Sequence, residues 1–282
     1  MTNNKQMLVD HKYYVDFKPI GKGSFGEVYV ATCKKTNNLV ALKLEEKNNK
    51  NKLLKEEHAF YSLLEKRGVT KIPKIYEFFS TTEYNVMSME LLDKDLDAVF
   101  EENNSKMKPL QVIRIAIQMI SIVADIHNAG IIHRDIKPSN FMYDHNKTLK
   151  MIDFGLAKKY MKDGGHIKYG TKSSLTGTAR YASINVHKYI EPSRRDDMES
   201  IGYILIYLCK GKLPWQDMKN KHKEKHVNYE LIGKAKETIS LATLCSDLPT
   251  CFNKYLSYCR ELQFYQKPDY NHLINIFQSA LV

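Results

Sequence analysis

One segment of this sequence carries most of its chemical information: His133-Arg134-Asp135-Ile136-Lys137-Pro138-Ser139-Asn140. A strand-like run at 149–152 follows it, and then the tripeptide Asp153-Phe154-Gly155. Either string alone could be a chance loop, but their order and spacing argue against coincidence. Phosphoryl transfer needs residues of these types, because one acid must orient a hydroxyl and accept its proton, a lysine must neutralise charge, and an Asn and a further Asp must hold Mg²⁺.

A glycine-rich segment lies upstream, at Gly21-Lys22-Gly23-Ser24-Phe25-Gly26-Glu27-Val28, and fits the pattern G-x-G-x-x-G-x-V. Glycines in such a segment let backbone N–H groups approach phosphate oxygens without a Cβ in the way. A dinucleotide-binding fold would need a helix next, whereas residues 27–32 have the pattern of a strand. Taken alone, the motif is equally compatible with an ordinary hairpin turn.

A lysine ends the apolar strand Val40-Ala41-Leu42-Lys43. It could be an exposed strand-end residue or a cation for the α- and β-phosphates of a nucleotide. The helix predicted next, at about 51–66, favours the second interpretation. Glu57 falls on the apolar stripe of that helix, where a carboxylate is costly unless it is paired. We therefore expect Glu57 to pair with Lys43, whereas Glu56 lies off the stripe and faces solvent.

The first part of the chain is rich in strands and the second part is helical. Strand-like alternation occurs at residues 13–20, 26–32, 39–44, 75–79 and 84–89. Long helices are predicted at 112–126, with Pro109 at the start and Gly130 after the end, and at 195–210. The pattern predicts a two-lobed α+β fold, with an N-lobe at 1–91, a C-lobe at 92–282 and a hinge near 91–94.

The composition restricts the classes of protein without selecting one. A net charge of +11 over 282 residues favours an anionic partner of some kind. The five cysteines lack CxxC spacing, so we expect neither a zinc site nor a disulfide framework, and we expect a reducing compartment. We also expect no signal peptide, and no membrane span, because polar residues interrupt the segment 112–126 at helical spacing.

Together these motifs resemble the signature set of eukaryotic-type protein kinases, from about Tyr14 to the C-terminus. The resemblance implies a phosphotransferase that uses ATP and Mg²⁺. It makes Asp135 the catalytic base, Lys137 a contact of the γ-phosphoryl group, and Asn140 and Asp153 the metal ligands. Asp197 would steady the catalytic loop from the second long helix. The residues implied at the nucleotide are Ile20, Gly21, Gly23, Gly26, Val28, Ala41, Lys43, Glu57, the gatekeeper Met89, Glu90 and Leu92.

The sequence further resembles the casein kinase I family over essentially its whole length. The usual Ala-Pro-Glu is missing, and residues 175–185 read Leu-Thr-Gly-Thr-Ala-Arg-Tyr-Ala-Ser-Ile-Asn, with Leu213-Pro214-Trp215-Gln216 downstream. The resemblance implies a monomeric Ser/Thr protein kinase, cytoplasmic or also nuclear, that acts on acidic or already phosphorylated proteins. The vaccinia-related kinases, a sister group, are the runner-up. Ser139 and Asp93-Lys94 depart from the family's usual Asp and Gly-Pro.

The substrate-anion site is where the resemblance is least complete. In the family, a glycine backbone, an arginine matching Arg180 and a downstream lysine form this site. Asp217 stands where the glycine is expected, and Lys223 or Lys225 could supply the lysine. We expect Arg180 and Lys225 to contribute, with Asp217 placing a negative charge at the rim.

Activation-segment regulation is a further expectation. In many kinases the arginine before the catalytic aspartate, here Arg134, binds an activation-loop phosphate. The candidate acceptors are Thr171, Ser173, Ser174 and Thr176, although such a run of hydroxyls is ordinary loop composition. The casein kinase I family is usually active without that phosphate, so we expect activity from the unphosphorylated protein.

Two other classes of function are compatible with parts of the sequence. A pseudokinase scaffold would bind partners without turnover, but such chains usually lack the equivalents of Lys43, Asp135 or Asp153, and all three are present. A nucleic-acid-binding protein is suggested by charge alone. No zinc spacing, helix-turn-helix signature or aromatic strand signature supports it, so no specific nucleic acid is expected as a partner.

Overall fold

The computed structural model describes residues 7–16, 18–23, 26–49, 52–162, 164–220 and 224–281, without the side chains of residues 7, 8, 23, 219, 220 and 225. The chain forms two compact units. The first contains Met1–Lys94 and Met142–Gly155, and the second contains Asp95–Phe141 and Leu156–Val282. The contribution of 142–155 to the first unit has no counterpart in the local sequence pattern, because it depends on contacts between distant parts of the chain.

The described strands, in chain order, are β1 (Met7–Val9), β2 (Tyr13–Val15), β3 (Gly21–Gly23), β4 (Gly26–Cys33), β5 (Leu39–Glu46), β6 (Ile75–Ser80), β7 (Tyr84–Met89), β8 (Ile131–Ile132), β9 (Phe141–Tyr143), β10 (Leu149–Met151), β11 (Lys158–Lys159), β12 (Met161–Lys162) and β13 (Gly165–His166). The described α-helices are α1 (Leu54–Lys66), α2 (Leu96–Glu102), α3 (Pro109–Asn128), α4 (Ile184–His187), α5 (Arg194–Lys210), α6 (Lys225–Thr238), α7 (Leu241–Leu244), α8 (Thr250–Glu261) and α9 (Tyr270–Gln278). Short 3₁₀ turns occupy Pro138–Asn140, Phe154–Leu156 and Gln216–Asn220.

The first unit is built on an antiparallel sheet with strand order β1-β2-β4-β5-β7-β6, with β3 paired to β4. Alternate residues of β2, β4, β5 and β7 form its core, among them Val15, Ala31, Leu42 and Val86. Helix α1 contacts β6 and β7. The strand-rich N-lobe expected from the sequence is confirmed.

The strand boundaries show where local pattern is sufficient. β7 has the predicted bounds, because its alternation is regular and it pairs on both sides. The predicted run 13–20 is too long, since β2 ends at Val15, and Pro19 has no N–H with which to continue a ladder. β1 was not predicted. Helix α1 begins at Leu54 and not near 51, and residues 50 and 51 lie outside the described residues.

The second unit is helical, as predicted. α3 carries proline at its first turn and is followed by Gly130 in a left-handed conformation with φ of +83°. Its predicted polar stripe is exposed or half-buried, while the other faces pack against α5 and α9. Among the described residues, α3 is the one helix long and apolar enough to cross a membrane, a test that the core helix of a soluble protein also passes; more than half of it is buried.

Helix α5 forms the centre of the second unit. Nearly every residue from Arg194 to Cys209 is buried, as the apolar run 201–209 predicts. Gly202 permits its close approach to α8, because a Cβ at this position would lie 2.4 Å from Leu256 Cδ2. The helix ends at Gly211, whose φ of +83° is the left-handed conformation common after a helix C-terminus.

Candidate active site

In the first unit, a lysine whose side chain is 12% exposed binds two carboxylates. The Nζ of Lys43 lies 2.6 Å from Glu57 Oε2 and 3.3 Å from Asp153 Oδ1. Burial by itself would lower the pKa of Lys43, but attraction to Glu57 and Asp153 outweighs it and the pKa is raised. The lysine is therefore charged. The pairing of Lys43 with Glu57 expected from the sequence is present, and Glu56 is exposed as expected.

The local structure explains why these groups meet. Lys43 lies on β5 opposite Val28 on β4 and Met87 on β7. On α1, Glu57 and Tyr61 are four residues apart and so share one face. The Tyr61 hydroxyl accepts the backbone N–H of Asp153 at 3.0 Å. One helix therefore positions both the partner of the lysine and the start of the Asp-Phe-Gly segment.

Glu57 keeps one carboxylate oxygen, Oε1, buried without a hydrogen-bond partner among the described residues, and its side chain is only 1% exposed. Asp153 is different, because 28% of its side chain is exposed and its φ is +64°. Glu57 is thus suited to hold Lys43 in place, whereas Asp153 can also bind an external ligand.

The glycine-rich segment forms a strand pair and not a helix, as predicted. Gly21 pairs with Val28, and Gly23 pairs with Gly26, across β3 and β4. A side chain at Gly26 is excluded, because its φ is +144° and a Cβ would lie 2.3 Å from the Leu44 carbonyl oxygen. Residues 24 and 25 of the motif lie outside the described residues.

The remaining residues assigned to the nucleotide rim also lie in the first unit. Ile20 is exposed and donates its N–H to the Val28 carbonyl, while Ala41 and Met89 are buried and face each other across β5 and β7. Leu92 is buried as well.

The Glu90 side chain is not free for a ligand. Its carboxylate accepts two hydrogen bonds from Lys150 Nζ, at 2.6 and 2.8 Å, and its N–H donates to the Lys74 carbonyl. Only its backbone carbonyl could face an adenine.

In the second unit, two groups contact the Asp135 carboxylate and a third contacts its backbone carbonyl. The Nζ of Lys137 lies 2.8 Å from its Oδ2, and the Thr178 hydroxyl donates to its Oδ1 at 2.7 Å. The Asn140 amide donates to the Asp135 backbone carbonyl at 2.8 Å, which fixes the orientation of the amide oxygen. Asp135 is 7% exposed, so these contacts hold its carboxylate in one orientation.

Asp197 of α5 holds the loop that carries Asp135. Its carboxylate accepts the backbone N–H groups of His133 at 2.8 Å and Arg134 at 2.9 Å, and it contacts His127 Nε2 at 2.9 Å. Burial opposes ionisation of Asp197, but these hydrogen bonds outweigh it and its pKa is lowered. The steadying role expected of Asp197 agrees with this geometry.

Two residues with positive φ shape the loop that carries Asp135 and the segment that packs against it. Arg134 has a left-handed φ of +70°, which is unusual for a residue with a side chain. Gly177 has φ of +86°, and a Cβ there would lie 2.3 Å from the Arg134 carbonyl oxygen. Only glycine therefore lets the activation segment approach closely enough for Thr178 to reach Asp135.

Sequence reasoning missed the residue that supports the following segment, Lys236 of α6. Its side chain is fully buried, and its Nζ donates to the carbonyls of Ala179 at 2.9 Å and Ala182 at 2.5 Å. It also lies 3.1 Å from Nε2 of His187. The only sequence signal is a lysine four residues after Ile232 on a buried helical face, which local pattern cannot distinguish from a solvated lysine.

Arg180 lies beside the same segment. It is half-buried, and its guanidinium carbon lies 5.7 Å from the ring centroids of both Tyr181 and Tyr207. Trp215 donates its indole N–H to the Arg180 carbonyl at 2.8 Å. Asp217 is exposed.

Two lysines that the sequence predicts at the anion site lie outside the part of the chain that the structure describes. Residue 223 and the side chain of Lys225 are outside the described residues, so a contribution of either to an anion site stays a prediction.

The oxygen atoms of Asp153 and Asn140 are of the kind that binds a hard divalent cation. Such cations prefer carboxylate and amide oxygens, which Asp153 supplies in the first unit and Asn140 in the second. No group of three or more His, Cys, Asp or Glu suited to a metal occurs in the described part of the chain.

A protein-family model described as "Protein kinase domain" matches residues 14–275. That range covers most of the chain and contains both groups of residues, Lys43 with Glu57 and Asp153, and Asp135 with Lys137 and Asn140. It also agrees with the antiparallel sheet of the first unit and the helices of the second. The chain therefore belongs to the protein kinase family of phosphotransferases.

Proposed function

We propose that the protein is a Ser/Thr protein kinase of casein kinase I type, which transfers the γ-phosphate of ATP to Ser or Thr of acidic or already phosphorylated proteins. The observation that carries the proposal is the Asp135 carboxylate, held between Lys137 Nζ at 2.8 Å and the Thr178 hydroxyl at 2.7 Å. A carboxylate with a fixed lysine neighbour can receive a hydroxyl proton while the lysine balances charge on the transferring group.

Asp135 orients the substrate hydroxyl and accepts its proton as the new phosphate ester forms, while the bond from the γ-phosphorus to the β–γ bridging oxygen breaks and ADP leaves. Lys137 neutralises charge on the phosphoryl group during the transfer. Because Thr178 and Lys137 already occupy one direction at each carboxylate oxygen, the remaining lone pairs present a fixed geometry to the incoming hydroxyl. Catalysis in this scheme comes mainly from positioning and charge neutralisation.

Lys43 contacts the α- and β-phosphates, and Glu57 keeps its ammonium group charged and in place. Asp153 of the first unit and Asn140 of the second would supply oxygen ligands to a metal ion, whose charge would offset that of the phosphates. The backbone of β3 and β4 covers the phosphates, and glycine at position 26 lets β4 approach the Leu44 carbonyl oxygen of β5 closely.

The choice of hydroxyl and of substrate is supported by sequence features. Lys137 stands three residues before Asn140, as in Ser/Thr kinases, whereas tyrosine kinases usually differ there. The segment 175–185 resembles casein kinase I, and Arg180 with the net charge of +11 supports acidic substrates. We also propose, from the same resemblance, a monomer of the cytoplasm or the nucleus.

A positional peptide-library screen with labelled ATP tests this function, with Arg180→Ala beside the parent protein. We expect phosphoserine and phosphothreonine as products and a preference of the parent for acidic residues near the acceptor. The Arg180→Ala variant should keep the hydroxyl choice and lose much of the acidic preference. Phosphotyrosine as the main product, or an equal acidic preference in both proteins, would refute the corresponding part of the proposal.

We further propose that the protein is active without phosphorylation of its activation segment. The Arg134 guanidinium already donates to the carbonyls of Leu156 at 2.6 Å and Ala157 at 3.4 Å, so internal partners engage it. Phosphatase-treated protein should therefore keep its activity. A loss of most activity, restored by rephosphorylation, would show that a phosphate on Thr171 or a neighbouring hydroxyl is required.

A further inference from the structure

The second unit contains a cavity that lies apart from the catalytic loop. Its volume is ≈ 920 Å³, within the range of ligand-binding clefts. The loop after α2, the end of α5 and the region around α7 form its walls. Its apolar lining includes Met107, Cys209, Leu244 and Leu248, of which the first three are buried.

Four lysines surround this apolar lining: Lys106, Lys108, Lys210 and Lys212. Among the described residues none of the four forms an ion pair, and Asp247 is the one acidic residue that lines the cavity. Lys210 donates to the Ser246 hydroxyl at 3.0 Å. We call this feature the lysine-rimmed cavity.

Backbone contacts hold the two lysine pairs together. The N–H of Met107 donates to the Leu208 carbonyl at 2.8 Å, which joins the segment 106–108 to the end of α5. Gly211 has φ of +83°, and a Cβ there would lie 2.7 Å from the Ser105 carbonyl oxygen. The two Lys-x-Lys segments are thus fixed as neighbours by the fold.

Such an arrangement is unfavourable without an anionic partner. Four like charges around one cavity repel one another, and the field they create attracts anions. An apolar lining inside a charged rim also leaves apolar surface that a partner could cover. A ligand complementary to both features has acidic groups at its edges and apolar groups at its centre.

We propose that the lysine-rimmed cavity is a docking site for an acidic protein segment that carries one or two large apolar side chains. The apolar side chains enter the cavity, and the carboxylates meet the four lysines. A concave site favours an inserted side chain over a flat lipid surface, so a protein segment is the occupant. The proposal does not depend on phosphoryl transfer, although such a segment on a substrate would raise its effective concentration at the enzyme.

Fluorescence anisotropy without ATP provides the primary test, because it remains readable whether or not the protein transfers phosphate. The probe is a short labelled peptide of Glu, Asp, Leu and Phe with no hydroxyl side chain. Two control peptides carry Gln and Asn for the acids, or Ala for Leu and Phe. We expect each control to bind about tenfold more weakly, since each lacks one of the two complementary features.

Two variants test the location. The first replaces Lys106, Lys108, Lys210 and Lys212 with alanine, and its matched control replaces four exposed lysines elsewhere in the second unit, namely Lys159, Lys162, Lys234 and Lys267. The second, Thr243→Trp, places a large side chain at an exposed position of the lining. Thermal unfolding checks that each variant is folded.

We expect the cavity variants to weaken peptide binding about tenfold or more, and the control variant to bind like the parent. Phosphorylation of a short acidic serine peptide without apolar residues should be unchanged in Thr243→Trp. Equal peptide binding by the parent and both cavity variants would overturn the proposal. Binding of the parent to phosphatidylserine vesicles through these lysines, with no binding of the peptide, would overturn it in favour of a membrane surface.

Discussion

At the scale of single residues, buried charges explain more of the proposed site than exposed ones do. Glu57 and Asp197 are nearly inaccessible and the Lys43 side chain is 12% exposed, and each of the three has a partner within hydrogen-bonding distance. Because an unpaired charge in such a place is costly, each partner fixes the position of the other. The sequence indicates the Lys43–Glu57 pair because Glu57 interrupts an apolar stripe. No such signal exists for Lys236, whose partners are backbone carbonyls.

Glu57→Gln should impair both activity and stability, because it leaves the charged Lys43 with Asp153 as its one remaining carboxylate partner. We expect kcat/KM to fall about 10- to 100-fold and the free energy of unfolding to fall by about 3 kcal/mol. Steady-state kinetics and urea unfolding measure these effects. The matched control is Glu56→Gln, an exposed neighbour on the same helix, which should behave like the parent. Equal effects of the two substitutions would disprove a specific role for the pair.

His187 should make stability fall in mild acid. Burial, together with the neighbouring Lys236, lowers its pKa from 6.5 to about 3. Between these values the unfolded chain binds a proton that the folded protein does not. The free energy of unfolding should therefore decrease as pH falls from 6.5 towards 3, by up to about 1.4 kcal/mol per pH unit from this group.

Urea unfolding at a series of pH values below neutrality, for the parent and His187→Gln, isolates this contribution. The parent should lose stability more steeply with falling pH than the variant. Identical slopes for the two proteins would mean that His187 does not titrate as described.

At the scale of elements, α6 supports the segment 178–182, although the sequence lacks the string Ala-Pro-Glu. Lys236 binds two carbonyls of the segment 178–182, and Nε2 of His187, at the end of α4, lies 3.1 Å from the same Nζ. Thr178 of that segment contacts Asp135. An interior lysine on one helix is thus linked, through one short segment, to the proposed catalytic base.

Lys236→Met keeps an unbranched side chain, one atom shorter, and removes its hydrogen-bond donors. The carbonyls of Ala179 and Ala182 then lose their partner, and the segment 178–182 shifts. We expect the KM for a protein substrate to rise about tenfold, since small misplacements of substrate-positioning groups have effects of this order, while the KM for ATP stays nearly constant. Lys234→Met, on the exposed face of the same helix, is the control. A fall in stability with both KM values unchanged would limit Lys236 to a structural role.

The elements also show how far the sequence predicts the fold. Strands with regular alternation and a helix with a proline start and a glycine stop are recovered, because those signals are local. Residues 142–155 join the first unit through contacts between distant segments of the chain, and β1 is only three residues long, too short to show a pattern of alternation. Motif order predicts Asp135, Lys137 and Asn140 as functional residues, whereas Thr178 and Lys236, which contact this region and the segment 178–182, come from distant parts of the sequence.

At the scale of the whole molecule, the charge of +11 is unevenly placed. Lys43 and Lys137 lie in the two groups of the proposed site. The four lysines 106, 108, 210 and 212 line the cavity of the second unit. The buried charges are protected from salt, whereas exposed ones are screened within about 10 Å at 0.1 M and about 3 Å at 1 M ionic strength.

Salt should therefore weaken substrate binding more than nucleotide binding. We expect the KM for an acidic protein substrate to rise several-fold between low and high salt, while the KM for ATP changes much less, because Lys43 is buried. Kinetics over a salt series measure both. A neutral peptide substrate is the control and should show little change. A parallel rise in both KM values would contradict the separation of buried and exposed charge.

The most direct test of phosphotransfer through Asp135 is the activity of Asp135→Asn on casein or an acidic peptide with labelled ATP. The substitution keeps the shape of the side chain and removes the proton acceptor, so transfer should fall by about 10²- to 10⁴-fold. Asp16→Asn, an exposed aspartate in the first unit, serves as the control and should match the parent. If folded Asp135→Asn transfers phosphate as fast as the parent, Asp135 is not the catalytic base.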